Sequence, residues 1–136
     1  MLRVLTTVAT MVLLGGFSLT GVAAASTVTP DVPYRCGNSW CATVTAIDPG
    51  SALVFHKWPN YSATVPNTPY LHNGDEVRVS CYLTSDTEDA DGNGDYIWWW
   101  VSIGTGDNFI AGYANDWYLT TGGPGDYESI LPNCGA

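Results

Sequence analysis

Residues 89–102 read DADGNGDYIWWWVS, and this stretch decides the class of the chain. Its first half is Asp, Asn and Gly, residues that favour turns and interrupt regular structure. Its second half is β-branched and aromatic, which suits the pleated, half-buried surface of a strand. The stretch therefore predicts a polar turn entering a core strand. Side chains alternate faces along a strand, so Ile97, Trp99, Val101 and Ile103 share one face. Trp98 and Trp100 take the other. The isoleucines and the valine mark the first face as core, which makes Trp99 structural. Trp98 and Trp100 are either covered by the amino-terminal arm or form an exposed aromatic platform. A covered ring of this size removes ~150–250 Å² from water, so bare rings require a use. Trp58, Tyr61 and Trp117, in or beside loops, are candidates to extend the platform.

The same alternation of short strand-like runs and turn residues continues outward in both directions. WCATVTAI (40–47), ALVFHKW (52–58), NGDEVRVSCYL (73–83), FIAGYA (109–114) and WYL (117–119) read as strands, and no segment reads as a helix. Within NGDEVRVSCYL, the spacing places Val77, Val79 and Cys81 on one face. Residues 26–35 carry Pro30 and Pro33 and read as an extended arm. This is the pattern of a single all-β domain, a small barrel or sandwich.

Ahead of it, residues 1–25 hold one early charge, Arg3, then an apolar run and a small-residue end with Ala23 and Ala25. That pattern predicts a secretory signal peptide cut before Ser26. A run this short, broken by Gly15 and Gly16, is a poor bilayer span. The remaining chain is enough for one small domain whose modest core gains from covalent staples. Cys36, Cys41, Cys81 and Cys134 supply them. An even count in an exported chain reads as two disulfides. Zinc is a poor alternative, because four residues separate the cysteines of CGNSWC and the other two lie far off. The short spacing predicts Cys36–Cys41, leaving Cys81–Cys134 to tie a strand to the carboxyl-terminal tail.

The formal charge is −9, and loss of Arg3 with the leader leaves only Arg35, Lys57 and Arg78 against thirteen acidic residues. Such a surface repels nucleic acid and anionic membrane, whose phosphates need Lys and Arg. It suits amine-bearing peptides or basic proteins. Asp89, Asp91, Asn93, Gly94 and Asp95 match the opening of a calcium loop, but its closing position is Trp100 where a bidentate Glu belongs. The expectation is a polar turn and no metal site. No catalytic set is legible. His56 and His72 are the only histidines and lack metal-pair spacing, there is no G-x-S-x-G, and no cysteine stays free once two disulfides form. Neither a catalytic residue nor a cofactor is expected.

Four motifs in order resemble the bacterial SH3-like (SH3b) domain, in its secreted actinobacterial form. ALVFHKWPNYSATV is similar to L-x-V-R-x-G-P-S through Leu53, Phe55 and Pro59, with His56 where Arg is usual and Trp58 where Gly is usual. YLHNGDEVRVSC is similar to L-x-x-G-x-x-V-x-V through Gly74, Val77 and Val79. WWWVSI looks like W-W/Y-x-V, and GYANDWYL resembles G-W/Y-V-x-x-x-Y-L through Gly112, Tyr113, Tyr118 and Leu119. The resemblance implies an SH3-like barrel of about five strands at 52–136, including the tail, with 26–51 as a disulfide-bonded arm carrying an added strand. Termini in such barrels often lie close, which would also permit Cys36–Cys134 with Cys41–Cys81. The resemblance further implies a module that binds and does not catalyse. The expected ligand is cell-wall peptide or glycan at an aromatic groove; the alternative partner is a basic extracellular protein docked by charge.

Overall fold

The computed structural model describes residues 30–136, so the expected signal peptide at 1–25 lies outside the described residues. The strands are β1 (Tyr34–Cys36), β2 (Ser39–Thr43), β3 (Glu76–Thr84), β4 (Ile97–Ile103) and β5 (Ile110–Asn115). They form one five-stranded sheet in the order β1-β2-β3-β4-β5, each antiparallel to its neighbour. The all-β class expected from the alternating runs is the one observed.

β1 and β2 form a hairpin closed by the Cys36–Cys41 disulfide, so the arm is disulfide-bonded as the spacing predicts. β2 is the added strand of that arm and is fully integrated, pairing on its other side with β3. It buries Cys41, Ala42, Thr43 and the following Val44 in succession. The chain leaving β5 returns to the same place. Thr45 N–H donates to the Tyr118 carbonyl at 3.0 Å and Thr120 N–H to the Thr43 carbonyl at 2.9 Å. These bonds bring the end of β2 against the segment after β5.

Residues 52–58 are not a strand, which corrects the sequence reading. Leu53 and Leu71 exchange backbone bonds of 2.8 and 3.0 Å, and Val65 N–H reaches the Phe55 carbonyl at 2.8 Å. The segment thus folds back on its own continuation, because Pro59 stops it from extending a ladder. Among the described residues its backbone bonds to the sheet are at His56, which exchanges bonds of 2.8 and 2.7 Å with Tyr113 of β5. There the crossing is close enough to require glycine. A Cβ on Gly112 would lie 2.8 Å from the His56 carbonyl oxygen and 2.9 Å from Phe55 Cβ. WYL is likewise no strand but a single 3-10 turn (Asp116–Tyr118), capped by the Asn115 side chain, which accepts from Trp117 N–H at 2.9 Å. One helical turn, α1 (Pro124–Tyr127), follows; no helix was expected.

β3 carries a bulge. Val79 pairs with Val101 but Cys81 pairs with Trp100, so Ser80 is an extra residue and the faces exchange beyond it. Val77 and Val79 point into the core, and after the bulge Tyr82, not Cys81, does so. The shared face expected for Val77, Val79 and Cys81 is therefore broken at Ser80. Its displacement turns Cys81 outward, where it bonds Cys134 in the tail. Tyr82 N–H donates to the Pro132 carbonyl at 3.2 Å and Cys134 N–H to the Tyr82 carbonyl at 2.7 Å, which holds the tail alongside. Both disulfides fit an oxidising extracellular environment. Among the described residues no helix is long and apolar enough to cross a membrane.

Candidate ligand groove

The polar half of the opening stretch is organised around one carboxylate. Asp89, only 3% exposed, accepts from the backbone N–H groups of Asp91, Asn93 and Asp95 at 3.0–3.1 Å and from the Asn93 amide at 2.9 Å. Gly92, at φ 73°, lets the chain turn tightly around it. Burial pushes the Asp89 carboxyl up, but these bonds outweigh it and hold it below its ordinary value. The loop is a turn built on its own donors, and its rim carries Ala90 and Asp91.

The loop covers Trp98. The Trp98 indole N–H donates to the Thr87 carbonyl at 2.8 Å, and its ring meets Tyr61 at 5.0 Å and His56 at 5.9 Å between centroids. The Ser85 hydroxyl donates to the Pro59 carbonyl at 2.6 Å and joins the two covering segments. Trp98 is wholly buried, so it is no part of an exposed platform. Nor does the amino-terminal arm cover it; the 58–62 turn and the acidic loop do. Trp100 is half-buried against Tyr113, with centroids 4.9 Å apart. Trp99 lies in the core against Tyr127 and Tyr82, as its face requires.

Of the five platform residues, Trp58 (61% exposed), Tyr61 (40%) and Trp117 (41%) reach solvent freely, but they do not form one surface. Trp117 flanks a shallow depression beside Tyr96 and Asp116. Tyr61 alone lines the concavity that the fold builds between residues 46–56 and the acidic loop. That groove encloses about 320 Å³. Ala46, Ile47, Leu53 and Val54 form its apolar side; Asp48, Asp91, His56 and Tyr118 supply the polar groups. The Tyr118 hydroxyl donates to the Asp91 carboxylate at 3.0 Å.

Electrostatically the groove is negative. Burial, then the charge of Asp89, pushes the Tyr61 hydroxyl up to about 12. Burial, then the bond to Asp91, pushes Tyr118 up further. His56 is 8% exposed, and burial lowers its pKa and favours the neutral ring, against the opposing pull of the Ala63 backbone. Its Nδ1 is buried without a hydrogen-bond partner. Sequence reasoning missed His56, Asp91 and Tyr118 as groove residues. They stand far apart in the chain, and the one local signal was the His at a position where the resembled family carries Arg. The chain matches no known family model, no curated protein and no solved structure.

Proposed function

We propose that the protein is an exported, non-catalytic SH3-like binding module that recognises cell-wall peptide or glycan in this groove. The groove itself carries the reading: an apolar wall, a tyrosine at the lip, and a few polar groups converging from separate segments. Such concave, mostly apolar sites with sparse polar groups are where small ligands and peptide segments bind. The five antiparallel strands, with the chain after β5 returning to β2, are compatible with a small barrel. Export agrees with the two disulfides.

The test is sedimentation with purified cell walls. The protein should pellet with walls, and Tyr61→Ala should pellet at least several-fold less while remaining folded. A protein that stays in the supernatant rejects the reading. The formal charge of −9 favours a second one, charge-driven docking of a basic protein. That binding should vanish at moderate salt, since exposed charges are screened within ~10 Å at 0.1 M.

A further inference from the structure

Among the described residues, the carboxylates of the groove lack a cation and one ring nitrogen beside it lacks a donor. Asp48 and Asp91 line it, while no Lys or Arg among the described residues does. The Nδ1 atom of His56, a side chain more than nine-tenths buried against the same groove, makes no hydrogen bond. A buried polar atom left bare is costly, so one beside a groove points to a group supplied from outside.

We propose that the groove reads a free primary ammonium group on the wall peptide, held by the Asp91 and Asp48 carboxylates, with a neighbouring peptide N–H donated to His56 Nδ1. This rests on the wall-binding reading above. The chemistry follows from what each group can accept. Asp91 already takes the Tyr118 hydroxyl at 3.0 Å, which fixes its orientation and leaves further lone pairs free. A neutral imidazole that carries its proton on Nε2 offers the unpartnered Nδ1 as an acceptor. Burial is the first cause of the raised Tyr61 and Tyr118 hydroxyls, and the charges of Asp89 and Asp91 add to it, with no lining Lys or Arg among the described residues to offset them. The apolar side formed by Ala46, Ile47 and Leu53 suits the short aliphatic part of such a ligand. Access to Nδ1 requires Tyr61, which packs edge-on against the imidazole at 5.1 Å and is 40% exposed, to turn aside.

The experiment titrates the protein calorimetrically with muropeptides released from purified walls, before and after acetylation of their free amines. Acetylation should weaken binding at least tenfold. Asp91→Asn should weaken the free-amine ligand by a similar factor and leave the acetylated one unchanged. Asp48→Asn, at an exposed loop position, does the same to a smaller degree and serves if Asp91→Asn fails to fold. The ¹⁵N resonance of His56 Nδ1 should move on adding the free-amine ligand. Equal affinity for both ligand forms, or parental binding by both variants, overturns the ammonium assignment while wall binding stands. Sedimentation with walls without muropeptide binding also overturns it. Absence of both removes the wall-binding reading itself. Binding of a lysine-rich protein in place of muropeptides overturns both in favour of the charge-driven partner.

Discussion

Trp98 and Trp99 are adjacent in the chain, point to opposite sides of β4, and are both wholly buried. Trp99 is in the central core; Trp98 is held by Tyr61, His56 and the Thr87 carbonyl. Each therefore fills a space that truncation would empty. Trp98→Ala and Trp99→Ala should each cost ~3–5 kcal/mol in denaturant unfolding. Trp100→Ala, at a half-buried position, should cost about 1–2 kcal/mol. A Trp98→Ala protein as stable as the parent would mean the acidic loop does not cover that face. Because Trp98 supports Tyr61 and His56 from beneath, its loss should also deform the groove. Of the two alternatives for Trp98, covered or exposed, it is the covered one, and the ring packs against two groove residues.

Among the elements, the 52–65 segment and β5 meet at the point where Gly112 excludes a side chain. A methyl there would have to displace the His56 carbonyl and Phe55. Gly112→Ala should destabilise by ~1–3 kcal/mol, and amide exchange at His56 and Tyr113 should rise. Exchange unchanged at both amides would mean the crossing is looser than its contacts. β3, β4 and β5 were legible because Val77, Trp99 and Ala114 lie in periodic runs with turn residues between. The 52–58 segment was not, since its apolar residues suit a strand while Pro59 and its own return to 63–71 claim its backbone. The bulge at Ser80 was equally hidden: one inserted residue leaves the local composition unchanged but reverses every face after it. For the same reason Tyr61 was legible as an aromatic in a loop, whereas the approach of His56, Asp91 and Tyr118 is set by pairings distant in sequence.

The whole molecule carries titrating groups that act in opposite directions. Asp116 accepts from the Trp99 indole and the Thr121 hydroxyl beneath the sheet's edge. Burial first, and the charge of Asp95, push its carboxyl up to about 7; Asp95 is itself raised, chiefly by burial. A carboxyl raised on folding binds more protons in the folded state, so its stability contribution is lost as pH rises toward and through 7. Asp89, lowered on folding, contributes stability that is lost as pH falls below the ordinary carboxylate range. Stability should therefore peak in weak acid and fall by roughly 2 kcal/mol from pH 5 to pH 8, on the order of 10 °C in Tm. Asp116→Asn should flatten that slope; an unchanged slope would place the titrating group elsewhere.

The disulfides divide the molecule unequally. Their sequence separations are 5 for Cys36–Cys41 and 53 for Cys81–Cys134. In the chain-entropy model, removing the long closure should cost ~4 kcal/mol and the short one ~2 kcal/mol. Paired alanine variants unfolded in denaturant check that order, and equal costs would contradict it.

The outward turn of Cys81 at the bulge also matters when the chain is under tension. A pull between residue 30 and residue 136 enters the carboxyl-terminal half only through Cys81 and Cys134, so their bond carries the load around everything between them. That segment, at a separation of 53, withholds about 180 Å of contour length at ~3.4 Å per residue. In single-molecule extension, breaking this bond should lengthen the unfolded chain by that amount. Until then β4, β5 and the groove residues Asp91 and Tyr118 lie inside a closed clasp that stretching alone cannot draw out to full length.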